Sequence, residues 1–249
     1  MPPSTSPWEQ FHATHATARF FKPRRYLLHA FTVLADPGIK VLELGCGAGA
    51  SLLPILKANP TSSAVGLDVS RSALGLLHAA AAAAEASDRI STAVHDLESP
   101  QGAQLPALAA PSASTFDAVL LIFTLSALSN QGVSNALRAA RDALRPGGRL
   151  LVRDYATCDM AHLRFMRAAG KGGDAFHRGD GTLARFFSLQ QLLSAAARLG
   201  FRAAEARYAC TRLRRFGKPD EKRVFVHLVL EKGAECVPGS EPVQGVPVS

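Results

Sequence analysis

The chain lacks any run of about 18 uncharged apolar residues, the length a helix needs to cross a bilayer, so no membrane partner is expected. It also lacks a C-x-x-C pair: Cys46, Cys158, Cys210 and Cys236 are scattered singly over 249 residues. That spacing excludes a zinc knuckle and a disulfide framework and fits a reducing compartment. The segment MPPSTSPWEQFHATHATARFFKPRR has no continuous apolar core, which argues against a secretory signal. Its shortage of acids and its Ser, Thr and Arg leave organelle import open beside a cytoplasmic or nuclear location. Acids are scarce throughout, 20 against 28 Lys and Arg, for a formal charge of +8 and a pI near 9.7. A surplus of that size points to anionic partners rather than to any fold.

What is present is apolar content of 47%, enough for one α/β core. Short apolar runs bounded by Gly, Pro, Asp or Asn predict buried strands at Lys40 to Leu44, Ala64 to Asp68, Ile90 to Asp96, Phe116 to Phe123 and Gly148 to Asp154. Helical patterns lie between and after them, at Ser51 to Ala58, Arg71 to Ala86, Val133 to Leu144, and Ser188 to Leu199 with Gly200 as C-cap. Phe201 to Tyr208 and Val224 to Glu231 fit an added antiparallel edge. The alternation predicts a doubly wound, mostly parallel sheet of seven strands flanked by helices. Residues 1–36 are expected to form an N-terminal contact segment, 37–232 the α/β domain with an insertion at 156–187, and 233–249 a disordered tail. Cations cluster at Arg19, Lys22, Arg24 and Arg25, and again at Arg207, Arg212, Arg214, Arg215, Lys218, Lys222 and Arg223. Phe20, Phe21, Tyr26, Tyr208 and Phe216 interleave with them, as a nucleic-acid surface requires; a solvated basic face is the alternative.

The chemistry starts at KVLELGCGAG, where a strand ends at Glu43-Leu44-Gly45 and turns through Gly47 and Gly49 into a helix. Missing side chains let backbone approach a ligand. The spacing G-x-G-x-G, with Glu43 two residues before the first glycine, departs from the pyrophosphate loop G-x-G-x-x-G and suits a ligand with a cationic or hydroxyl-rich group. Asp68 ends the second strand, where an acid accepts ribose hydroxyls; Asp96 ends the third beside Leu97, placed for an adenine amino group and ring; Ile122 opens on the same crevice from the fourth. Helix N-capping is the competing role for Asp68.

ELGCGAG, LDVS, HDLE and LRPGGRLLVRDY together resemble a class I S-adenosylmethionine-dependent methyltransferase of Rossmann-like fold. FFKPR, LIFTLSAL, RDYATCDMAHLRF and HRGDGTLARFFS are similar, more narrowly, to the tRNA N3-methylcytidine methyltransferases, over about residues 8 to 230. The resemblance implies S-adenosylmethionine as cofactor, with Trp8, Gly45, Asp68, Asp96, Leu97 and Ile122 lining its site. It implies as substrate a cytidine in the anticodon loop of tRNA, notably serine and threonine acceptors. The family usually reads W-x-x-F-Y near its start, where this chain reads WEQFH, so His12 replaces the tyrosine expected to reach the cofactor carboxylate. Seven residues precede Trp8 where relatives carry a longer helical extension, so RNA affinity is expected to lean on an adaptor such as seryl-tRNA synthetase. His12 and His15 are spaced like a metal pair on a helix but have no third ligand, and no metal is expected.

Methylating cytosine N3 leaves the base cationic, so a facing carboxylate is useful and no general base is needed. Asp154 is the candidate carboxylate and Tyr155 a stacking or hydrogen-bonding partner for the base; Arg153 is divided between an ion pair with Asp154 and a phosphate contact. The insertion, with Asp159, His162, Arg164, Arg167, Lys171, Arg178, Asp180 and Arg185, is expected to form a substrate cap hinged by its glycines, its first helix placing Leu163 and Met166 in the core. Lys22 and Arg24 complete the expected RNA contacts. A methyltransferase acting on a small molecule or protein, and a non-catalytic RNA-binding module of the same fold, are the alternatives.

Overall fold

The computed structural model describes residues 6–14, 22–109, 115–170, 172–215 and 218–233, with the side chains of 213–215 and 218–220 excepted. Arg19, Phe20, Phe21, His15, Lys171, Phe216 and the expected tail beyond Gly233 lie outside the described residues, as do the side chains of Arg214, Arg215 and Lys218.

Two helices come first, α1 (Pro7–Thr14) and the short α2 (Leu27–Ala30). Strand and helix then alternate: β1 (Lys40–Leu44), α3 (Leu52–Ala58), β2 (Ser63–Asp68), α4 (Arg71–Ala83), β3 (Ile90–Val94), β4 (Phe116–Ile122), α5 (Asn130–Ala143) and β5 (Leu144–Tyr155). An insertion holds α6 (Met160–Ala169) and a small hairpin of β6 (Ala175–His177) and β7 (Leu183–Arg185). The chain closes with α7 (Leu189–Ala197) and two long strands, β8 (Phe201–Arg215) and β9 (Lys218–Lys232).

The main sheet has the order β3-β2-β1-β4-β5-β9-β8, parallel from β3 to β5 and antiparallel at β9 and β8. Its order reverses between β1 and β4, and such a reversal opens a crevice at the carboxyl ends of the strands. Burial on both faces explains the unbroken apolar runs. Val41, Ala118, Leu120 and Leu151 face one helical layer with Leu52, Ile55, Leu74 and Leu77, while Leu42, Val119, Leu121 and Leu150 face the other with Leu137, Ala140 and Leu192.

Two expectations need correction. The terminal strands run to Arg215 and from Lys218, well past Tyr208 and Val224, because β9 pairs with β5 only up to Phe225 and beyond that point continues with β8 alone. A two-stranded ribbon outside a sheet has no buried face, so its sequence carries no apolar alternation. In α6 the residue turned inward is His162, whereas Leu163 is 47% exposed. The helix packs on a small aromatic cluster of its own, Phe176 and Phe186 with Tyr155, Phe165 and Met166, rather than on the main core.

Candidate active site

The turn after β1 is built for a close approach. Gly45 sits at φ +75, and a Cβ there would fall 2.5 Å from Thr124 Cγ2, so any side chain would collide with the neighbouring strand end. Gly45 and Cys46 donate their N–H groups to Leu67 O at 2.7 and 3.1 Å, fastening the loop to the end of β2. Asp68 completes the fastening: Oδ2 accepts from Gly47 N at 2.7 Å and Oδ1 from Ser70 N at 2.9 Å. Ser70, not Asp68, caps α4, accepting from Ala73 N at 3.0 Å. Burial raises the Asp68 carboxyl above its ordinary range, against the pull of those two N–H groups and of His12.

Around this turn lies a cavity of about 850 Å³, within the span of about 300–1,000 Å³ usual for ligand sites. Trp8 and His12 enter it from α1, Gly45 and Gly47 from the loop, Asp68 from β2, Asp96 and Leu97 from the segment after β3, and Ile122 from β4. Eight of the nine expected cofactor residues therefore share one cavity. Glu43 does not line it: the side chain is wholly buried beneath, and neither oxygen has a hydrogen-bonding partner among the described residues. Burial pushes its carboxyl up to about 8, while nearby Arg24 and Ser51 pull it down. Desolvation outweighs them, and at neutral pH the carboxyl is largely protonated.

The expected acceptor residues divide more sharply. Tyr155 lines the cavity, with its ring 5.2 Å from Phe123 and 5.9 Å from Phe186. Phe123, which sequence reasoning left unused, holds φ +59 at the end of β4, a conformation few large residues adopt and one common at functional sites. Arg24 lies over the Phe123 ring at 5.1 Å and donates to Ser51 Oγ at 3.0 Å. From the cap, the turn with Arg178, Asp180 and Thr182 lines the same cavity.

Asp154 does not face the cavity. Its side chain is 0% exposed, Oδ2 accepts from Ser126 N at 2.9 Å and Oδ1 from Tyr155 N at 2.8 Å, and burial pushes it up to about 6. Its direct work is to hold Ser126 and Tyr155, both cavity residues, in register. Arg153 makes no ion pair with Asp154, because consecutive strand residues point to opposite faces. Arg153 is 8% exposed and lies between the rings of Tyr26 at 5.0 Å and Phe225 at 5.2 Å, outside the cavity.

The remaining expected RNA contacts are structural or peripheral. Asp159 caps α6, accepting from Ala161 N, and its fully buried carboxylate also holds Arg223 Nε at 2.8 Å and Val224 N at 2.7 Å. Arg185 ties the cap to the wall of the cavity through Leu128 O and Asn130 Oδ1, with its Nε buried and unpartnered. Arg164 pairs with Glu221 on the surface, and Lys22 is exposed away from the cavity. Among the described residues no group of His, Cys, Asp or Glu has the disposition of a metal site, and no helix is long and apolar enough to cross a membrane.

Comparison with known proteins agrees with this geometry. The chain is 33% identical over 196 residues to a tRNA N(3)-methylcytidine methyltransferase of Drosophila melanogaster, covering 74% of this chain and 58% of that protein. It is 34% identical over 178 residues to O-methyltransferase 3 of Dictyostelium discoideum, covering 71% and 39%. The chain thus spans little more than half of the first relative and well under half of the second. Its fold matches a SAM-dependent methyltransferase structure from Anabaena variabilis with a TM-score of 0.68 at 14% identity, over 92% of this chain and 94% of that one. The family described as a methyltransferase domain matches residues 13–206, and with the crevice in place at the strand ends, the chain belongs to that family.

Proposed function

We propose that the chain transfers the methyl group of S-adenosylmethionine to N3 of a cytidine in the anticodon loop of tRNA, with serine and threonine tRNAs as acceptors. The observation that carries this reading is the single cavity, which joins the glycine loop and Asp68 to Phe123, Tyr155 and the cap hairpin without a break. Cofactor and acceptor base can meet in it. The name of the Drosophila relative and the basic surplus of the chain support RNA as the acceptor.

The residues present fit the cofactor. Asp68 stands where ribose hydroxyls would bind, Leu97 offers an apolar wall and Asp96 an acceptor for an adenine, and Arg24, held by Ser51, adds a cation to the same cavity. When bound, S-adenosylmethionine supplies a methyl already activated on a sulfonium. The chain then has to place the acceptor and exclude water. Phe123 and Tyr155 offer ring faces on which a flipped base can stack. Arg185, anchored to Leu128 and Asn130, holds the cap over the site. No residue has to remove a proton, since N3 of neutral cytosine carries a lone pair.

The test is to incubate the protein with S-adenosylmethionine and bulk tRNA, digest, and seek 3-methylcytidine by mass spectrometry, with and without added seryl-tRNA synthetase. Product appearing in serine or threonine tRNA is the expected result, and a higher rate with the synthetase identifies an adaptor. Methylation confined to hydroxyls of small acceptors would overturn the reading in favour of the activity named for the Dictyostelium relative.

A further inference from the structure

With Asp154 buried, the cavity needs another source for the carboxylate that a base gaining positive charge calls for. Four carboxylates line it among the described residues: Asp68, Asp96, Glu98 and Asp180. Asp68 fastens the glycine loop through the Gly47 and Ser70 N–H groups and stands on the cofactor side, where ribose hydroxyls would bind. Both oxygens of Glu98 are taken by Ser129, at 2.6 Å from N and 2.5 Å from Oγ. Asp96 closes a local turn, accepting from Glu98 N at 2.8 Å, and stands on the β3 side of the crevice. Asp180 alone comes from the cap.

The turn that carries Asp180 is tightly specified. Arg178 N–H donates to Thr182 O at 2.8 Å and Gly181 N–H to Arg178 O at 3.0 Å, with Gly181 at φ +80. The Arg178 guanidinium donates to Thr182 Oγ1 at 3.1 Å and to Leu183 O at 2.7 Å, so the cation is fixed beside the carboxylate. Thr182 donates twice to Asp180, from N at 3.0 Å and Oγ1 at 2.7 Å, and both bonds fall on Oδ1. These bonds hold the Asp180 carboxyl below its ordinary range, so it is ionised at neutral pH.

Resting on the cytidine reading above, we propose that Asp180 tells cytosine from uracil by accepting a hydrogen bond from the exocyclic amine at C4. Cytosine presents a donor there; uracil presents a carbonyl oxygen, which a carboxylate repels. The same contact acts on rate. The N3 lone pair forms the new N–CH₃ bond, the S–CH₃ bonding pair stays on sulfur, and no proton leaves, so the base ends with one positive charge. That charge spreads onto the amine, and its bond to an ionised Asp180 strengthens as the transition state is reached.

The decisive variant is Asp180→Asn, because an asparagine oxygen can keep both Thr182 contacts and hence the turn while removing the charge. Single-turnover methyl transfer to an anticodon stem-loop RNA should fall about 10- to 100-fold, the loss expected for a hydrogen bond to a charged group. Cofactor affinity by calorimetry should be unchanged. Replacing the methylated cytidine of the RNA by uridine should weaken binding to the unaltered protein, whereas in the variant, whose NH₂ group takes the place of Oδ2, that preference should be lost or reversed. If the unaltered protein methylates cytidine and Asp180→Asn matches it in rate and preference, the Asp180 inference falls alone; a matching Asp180→Asn with a damaged Thr182→Val would show that the aspartate only shapes the turn. If the unaltered protein makes no 3-methylcytidine, the cytidine reading falls and takes this inference with it.

Discussion

Asp154 is fully buried, with one backbone N–H on each carboxylate oxygen. Asparagine has the same shape but one acceptor, so its NH₂ group must face a backbone N–H across a gap sized for a hydrogen bond. A buried donor left unsatisfied costs about 1–3 kcal/mol. Asp154→Asn should therefore lower the melting temperature by several degrees and, since Ser126 and Tyr155 line the cavity, slow methyl transfer as well. Thermal unfolding measured beside single-turnover rates checks this; a variant as stable as the unaltered protein but inactive would return Asp154 to direct contact with the substrate. Arg153, one residue earlier, points to the other face and is held by two aromatic rings. Adjacent letters in the sequence thus serve opposite sides of one strand.

Helix α1 reaches the cavity with Trp8 and His12, and it packs chiefly on the start of α4. Glu9 makes that attachment: its carboxylate accepts from Ser72 Oγ at 2.5 Å and Ser72 N at 3.3 Å. A carboxylate at a helix N-terminus is favoured by the exposed N–H groups and the dipole, and hydrogen bonds from Ser70 and Ser72 hold Glu9 below its ordinary range. Glu9→Ala should leave the sheet intact while loosening the wall that carries Trp8 and His12. The Michaelis constant for S-adenosylmethionine should rise about fivefold, the value of roughly one capping interaction, with little change for the RNA. Steady-state kinetics with each substrate varied in turn separate the two; an equal rise for both would mean that α1 also carries the RNA.

The sheet and the crevice were legible because buried parallel strands write themselves as apolar runs and the turns at their ends need Gly and Asp. Gly45, Gly47, Asp68, Asp96, Leu97 and Ile122, six of the eight expected cofactor residues that share the cavity, followed from that grammar, whereas Trp8 and His12 on α1 were reached only through the family resemblance. Side-chain direction at the end of β5 did not, since it depends on which face meets Ser126 and which meets Tyr26, and neither neighbour is near in sequence. Glu43 shows a third limit: its place in the motif is plain, but only its complete burial reveals a pKa near 8. That value shapes the pH dependence of the whole molecule. A carboxyl raised from 4.5 to about 8 keeps its proton in the folded state where the unfolded chain has lost it. The stability it contributes is full below 4.5 and is lost as pH rises through 8. Asp154, raised from 3.8 to about 6, acts in the same direction at lower pH. His227, lowered from 6.5 by burial despite its bond to Glu205, acts oppositely: its stabilising share is present above 6.5 and is lost as pH falls. Between pH 6.5 and 8 the cofactor-free protein should therefore weaken through Glu43, by up to about 2 kcal/mol at about 1.4 kcal/mol per pH unit, with Asp68, also raised by burial, acting in the same direction. Glu43→Gln, neutral at every pH, should flatten most of that slope in denaturant unfolding, and a variant with the slope of the unaltered protein would locate the titrating group elsewhere.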